Sequence, residues 1–259
     1  MSGKDPAGAA IAKDAPAALE RKADADWWRM ALLAIVAGAQ IGFGGIAFLI
    51  VQAGPAVSGT TQLLSGVAFA AGLMMVMVTG SELFTGNTMF ALPAATGRLS
   101  ACRLALSWAV VWTGNLVGGV GVAWLFERSG GLGGLDGAIA EAAAQVARDK
   151  LGKSAATILA SGVLANMLVC LAVWMAMGAR SLSAKAAALV GPVAIFVAAG
   201  FEHSIANMSL VPIGLLAGAE GDIGDVARNL LLATAGNIVG GAAVALALGV
   251  SHGADAEAG

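Results

Sequence analysis

Charge is the scarcest commodity in this chain. Only 12% of its 259 residues are Asp, Glu, Lys or Arg, against 58% hydrophobic residues and a mean hydropathy of +0.84. A water-soluble domain carries roughly a quarter charged residues, so the composition excludes an ordinary soluble globule. Cysteine is as sparse: Cys102 sits beside Arg103 in a short connection and Cys170 lies within an apolar run. Two such residues give no disulfide framework and no redox pair. No metal-ligand spacing, glycine-rich phosphate loop or nucleophile elbow occurs, so no metal, cofactor or catalytic residue is expected. The net charge of -2 says nothing about partners, because most of it resides in tails and loops, and nothing in the sequence suggests nucleic acid. Residues 1–26 also lack the apolar core of a signal peptide. They place Lys4, Lys13, Arg21 and Lys22 among Asp5, Asp14, Glu20, Asp24 and Asp26. That mixture predicts a disordered or surface-lying cytoplasmic arm.

What the chain has instead is apolar length. Six stretches stand out, at 28–52, 61–97, 104–126, 155–178, 187–218 and 229–250. Four match the ~20 residues that cross a bilayer. The second and fifth are too long, since 37 helical residues would span roughly 55 Å against a ~30 Å hydrocarbon core. Both hold breakers: Gly80, Gly86 and Pro93 in one, Gly191, Pro192, Gly200 and Pro212 in the other. Each therefore reads as two half-helices joined by irregular backbone, which survives at membrane depth only where protein buries it or where it lines a cavity. Arg98 and Arg103 after span two, and Arg180 and Lys185 after span four, stand without acids, which predicts both termini in the cytoplasm. Trp27 and Trp28 beside Arg29 read as an interfacial anchor. The resulting division is a cytoplasmic arm 1–26, a transmembrane domain 27–250 and a cytoplasmic tail 251–259. Halves at 28–126 and 155–250 are joined by an outer loop 127–154.

The halves repeat. "GSELFTGNTM" (Gly80 to Met89) and "GFEHSIANMS" (Gly200 to Ser209) share Gly-x-Glu-x-x-x-x-Asn, and "GNLVGG" (Gly114 to Gly119) returns as "GNIVGG" (Gly236 to Gly241). The order is kept in both halves. Three spans per half make the second enter the membrane from the opposite side, an inverted repeat whose path lies near the midplane where the interrupted helices meet. Half-helix N-termini there favour an anion. Of the 16 acidic residues only Glu82 and Glu202 fall inside predicted spans, and His203 is the only histidine there. Ionisable groups at that depth face an interior or a pathway. Beside the breaks, Glu82 and Glu202 are placed to accept hydrogen bonds from freed backbone N–H groups. The glycines of the second motif suit close helix packing, with Asn115 and Asn237 satisfying backbone in the same contacts.

These residues resemble the formate/nitrite transporter family. "GSELFTGNT" is similar to the signature of its interrupted second helix, "GFEHSIANM" to that of its fifth, and the resemblance runs over about 28–250. The tails and the loop 127–153 look private to this chain. The resemblance implies an all-α, aquaporin-like protomer with six transmembrane helices, assembled in the inner membrane as a homopentamer with a pore in each protomer. It implies a small monovalent anion as substrate: formate, nitrite, hydrosulfide, or a relative such as acetate or lactate, with possible proton coupling. His203 matches the central pore histidine and Thr85 the loop threonine facing it. Leu73, Leu83 and Phe84 match a cytoplasmic constriction, and Phe69 and Phe196 a periplasmic one. Lys150 matches a vestibule lysine, and Asn166 and Asn207 match polar supports of the pore. The loop departs from the family's formate channels, which often follow the threonine with serine where this chain has Gly86. Two other classes fit less well. A neutral-solute channel resembling aquaporins would carry paired Asn-Pro-Ala motifs, and an enzyme built on Glu202 and His203 would need a nucleophile or metal beside them. The chain has neither.

Overall fold

The computed structural model describes residues 8–54 and 58–252, and every regular element among them is helical. Short α1 (Gly8–Ala23) lies on one face of the molecule. From that face α2 (Trp27–Gln52) crosses, and α3 (Gly59–Thr79) returns, to stop at Gly80. A stub continues the path as α4 (Phe84–Asn87), one 3-10 turn over Thr88–Phe90, and α5 (Ala91–Ala95). Then α6 (Ala101–Arg128) crosses to the opposite face, where α7 (Ala138–Leu151) lies. The second half repeats the pattern with α8 (Ala155–Gly178), α9 (Leu182–Ala198), α10 (Ser204–Leu216) and α11 (Ile223–Ser251). Five helices, α2, α3, α6, α8 and α11, are long and apolar enough to cross a membrane, and α9 and α10 complete the sixth crossing in series. The described ends meet on one face, with the His252 ring against Gly8.

Both interruptions fall at a glycine in the left-handed region, Gly80 at φ +69° and Gly200 at φ +66°. A side chain there would be strained, and the turn reverses the chain out of the helix. The other expected breakers do not break. Gly86 and Pro93 lie inside α4 and α5, Gly191 and Pro192 inside α9, and Pro212 inside α10. Pro212 lacks an N–H for the Met208 carbonyl, and the α6 glycine Gly119 packs directly on that carbonyl.

The repeated GN-x-x-GG segments set the helix spacing. A Cβ at Gly118 would collide with the Ile35 carbonyl, and one at Gly240 with the Val163 carbonyl. Thus α6 meets α2 backbone to backbone as α11 meets α8, an arrangement lipid favours because apolar side chains gain little by association there.

Two segments differ from their sequence reading. Residues 8–23, expected as a disordered or surface-lying arm, are an ordered helix, and Ala12, Ala15, Leu19 and Ala23 form a covered stripe along it. Arg103 clasps the end of that helix, donating to the Ala23 carbonyl at 2.9 Å and the Ala25 carbonyl at 2.7 Å while its guanidinium stacks 3.7 Å from the Trp27 ring. Residues 1–7 and 253–259 of the predicted arm and tail lie outside the described residues. The outer loop likewise contains α7, whose Ile139, Ala143, Ala147 and Leu151 are buried at four-residue steps. Gly214 of α10 lets the backbone of Ala143 approach it.

Candidate functional site

Each break exposes backbone groups that a bilayer cannot hydrate, so the chain must satisfy them itself. Asn115 does so for the first. Its amide donates to the Ala34 carbonyl (2.7 Å) and the Glu82 carbonyl (2.9 Å), and its oxygen accepts from the Phe84 N–H (2.9 Å). Asn237 repeats this at the second, donating to the Gly162 (2.8 Å) and Glu202 (2.9 Å) carbonyls and accepting from the Ser204 N–H (2.8 Å). The asparagines thus take the duty expected of the glutamates. Among the described residues neither carboxylate receives a backbone N–H; both are held by side chains instead. Asn87 donates to Glu82 at 2.7 Å and Asn207 to Glu202 at 2.5 Å. Lys22 of α1 pairs with Glu82 at 3.2 Å. Lys153 and Lys150 pair with Glu202 at 2.6 and 3.4 Å, and Asn229 adds a bond at 3.2 Å.

Between the two breaks lies one polar contact. The His203 Nε2 stands 2.9 Å from the Thr85 Oγ1, both groups buried. His203 also caps α10, its Nδ1 accepting the Ala206 N–H at 3.0 Å. An Nδ1 that accepts carries no proton, so the neutral ring has its proton on Nε2, aimed at Thr85. Thr85 is anchored through its carbonyl, which accepts from Thr88 Oγ1 (2.6 Å), Asn166 Nδ2 (3.2 Å) and Cys170 Sγ (3.5 Å). Its hydroxyl is therefore free of its own turn and turned to the histidine.

A cavity opens on either side of this pair. That on the α7 face, about 240 Å³, reaches His203 and is bounded by Phe69, Phe196, Lys150 and Lys153. The Phe69 and Phe196 rings meet edge-on with centroids 5.9 Å apart, and Phe196 stacks on the imidazole at 5.6 Å. The cavity on the α1 face, about 210 Å³, is bounded by Leu73, Leu83, Asn87 and Lys22. Phe84 differs from its expected place: it lines neither cavity and packs on Trp108, centroids 6.3 Å apart. Asn166 and Asn207 also line neither; they brace Thr85 and Glu202 from behind. Burial pushes the Lys150 ammonium below its ordinary value, with Glu202 opposing and Lys153 reinforcing the shift.

Sequence reasoning did not find Lys22, Lys153 or Asn229. The one available signal was electrostatic necessity, since a buried carboxylate requires a cation, and three of the 14 basic residues answer it from segments remote in the chain.

Interrupted helices in an inverted repeat, two facing cavities and a buried polar contact between them define a multi-pass membrane protein of the channel and transporter class. The model of the formate/nitrite transporters matches residues 9–250, and the chain belongs to that family. The match takes in both α1 and the 127–153 segment, which the sequence had set apart as private. Among relatives, the formate channel FocA of Escherichia coli K12 is 38% identical over 210 residues, covering 80% of this chain and 74% of that one. The nitrite transporter NirC of Salmonella typhimurium is also 38% identical, over 215 residues, 80% and 76% of the two chains. A solved pentameric formate channel with formate bound superposes with a TM-score of 0.77 at 36% identity, covering 83% of this chain and 92% of that one.

Proposed function

We propose that the protein is a channel for a small monovalent weak-acid anion, formate foremost, with one pore in each subunit of a homopentamer. The observation that carries this reading is the buried Thr85–His203 contact between two cavities, each furnished with lysine. The pentamer and the preference for formate rest on the similar solved channel. The basic connections at Arg98, Arg103, Arg180 and Lys185 put the α1 face in the cytoplasm.

The chemistry follows from the cost of desolvation. A bare carboxylate cannot cross an apolar constriction unaided. Lysine draws the anion into a cavity, and the Phe69–Phe196 pair on one side and Leu73 and Leu83 on the other strip its water. At the centre the His203 Nε2–H donates to an anion oxygen in place of Thr85. A ring that first gains a second proton from the aqueous side, its Nδ1 releasing the Ala206 N–H, passes one proton to the anion and returns to the neutral form, so that the neutral acid continues and flux is coupled to proton movement. Nitrite is the second reading, favoured by a nitrite relative as similar as the formate one, and Gly86 after the pore threonine departs from the formate-channel pattern. Hydrosulfide carries the same single charge, although it is the conjugate base of a much weaker acid, and belongs among the competitors.

The test is labelled formate uptake by purified protein in liposomes across a pH series, with nitrite and hydrosulfide competing. Wild type is expected to conduct formate, and His203→Ala to change both rate and pH response. Flux of a competitor without formate moves the assignment to that anion. No flux of any small anion in folded protein sinks the channel reading.

A further inference from the structure

The two breaks are served by different numbers of lysines, and the difference has a consequence at the pore mouths. At the first break the Lys22 ammonium pairs with Glu82 at 3.2 Å and donates to the Ser81 carbonyl at 3.4 Å. At the second, Lys153 repeats that task at closer range, reaching Glu202 at 2.6 Å and the Gly200 carbonyl at 2.7 Å. Its own backbone is fixed, because Arg228 donates to the Lys153 carbonyl at 3.0 Å and the Leu151 carbonyl at 2.5 Å. The other oxygen of Glu202 is occupied by Asn207 and Asn229. Lys150 stands further off, 3.4 Å from the same Glu202 oxygen, with only 12% of its side chain exposed and the cavity before it.

We infer that Lys153 is a positioning residue whose share of Glu202 leaves the Lys150–Lys153–Glu202 cluster with one positive charge in excess, making the α7 mouth the higher-affinity entrance for the anion. The inference rests on the channel reading. Two ammonium groups share one carboxylate at this mouth, whereas Lys22 and Glu82 balance at the other. The remaining charge along the cavity, Asp149, lies on its exposed rim with Gln145 donating to it at 2.7 Å. Solvent and salt screen a rim charge far more than one walled by protein. A focused positive field raises the local concentration of anions in a cleft.

The experiment measures half-saturation for labelled formate in sealed vesicles of each orientation. Wild type is expected to half-saturate at about fivefold lower formate from the α7 face, the factor one unit charge at ~4 Å produces in water. Lys153→Gln is expected to bring that value to the α1-face level and, because flux at low formate must be equal in both directions through a passive pore, to raise maximal flux from the α7 face by the same factor. Lys153→Arg is expected to restore it, and 1 M salt to shrink the wild-type difference. Size-exclusion profiles confirm that each variant is folded. Equal half-saturation at both mouths of wild type overturns the inference. So does a folded Lys153→Gln protein that loses maximal flux with its α7-face half-saturation unmoved. Wild type that conducts no anion from either face overturns the channel reading itself, and the inference with it.

Discussion

The first and second breaks are built from the same residues in unlike surroundings. Gly80, Glu82, Asn87 and Asn115 recur as Gly200, Glu202, Asn207 and Asn237, with the same partners at nearly the same distances. Where the copies diverge, the pathway acquires its character. Leu83 occupies in one half the N-cap position that His203 takes in the other. Thr85 stands where the other half has Ile205, and Thr88 where it has Met208. The scaffold is thus held in duplicate, while the polar pair at the centre takes one member from each half. A symmetric frame tolerates this because the asparagine clamps satisfy the backbone, freeing the cap and turn side chains to differ.

That comparison can be broken most forcefully at the clamps. Asn115→Ala and Asn237→Ala each leave one carbonyl and one N–H of the break buried without partners, at roughly 1–3 kcal/mol per group, while the Ala34 and Gly162 carbonyls keep their helical bonds. Both variants are expected to lose stability by similar, large amounts in thermal unfolding of detergent-solubilised protein. A large loss at one site and none at the other would show that the two breaks are not held alike.

The carboxylates sharpen the contrast. Glu202→Gln leaves two largely buried ammonium groups facing each other, with an expected cost of about 3 kcal/mol. Glu82→Gln leaves only Lys22, whose side chain is 36% exposed, so solvent absorbs much of the loss. The unfolding midpoint should therefore fall much further for Glu202→Gln. Equal shifts would deny the difference in setting.

The smallest expected effect concerns function rather than stability. Thr88→Val removes the shortest of the three bonds on the Thr85 carbonyl and should slow anion flux roughly two- to fivefold, as one net hydrogen bond implies. Thr88→Ser should keep the wild-type rate, and Met208→Leu, at the equivalent place in the other half, should leave flux alone. Flux measured in the same liposome assay decides between them. An unaltered Thr88→Val rate would mean that Asn166 and Cys170 suffice.

Much of this frame was legible in the sequence because membrane burial makes local patterns strict. An over-long apolar run containing Gly80 or Gly200 must break, and a lone Glu–His pair in such a run must face an interior. Proline was less informative than glycine: Pro192 and Pro212 remove one N–H each, and a helix survives that where a neighbour covers the freed carbonyl. The covered stripes of α1 and α7 were present as periodic Ala, Ile and Leu, but alanine-rich faces interspersed with charge resemble solvated loops. The lysine partners were illegible for a different reason. Lys22 meets Glu82 and Lys153 meets Glu202 across 60 and 49 positions of chain, and no spacing rule connects residues that only the tertiary fold unites.

The packing of the stubs bears on how the chain is made. The stub that follows Gly80 rests against α11, where Gly241 leaves room for Thr88, Asn166 and Cys170. Yet α11 leaves the ribosome long after that stub. During synthesis the first re-entrant segment meets α6, α8 and α10 before α11 can close on it. Its closure is a late event in biogenesis, and α11 acts as the keystone that locks a loop translated some 150 residues before it.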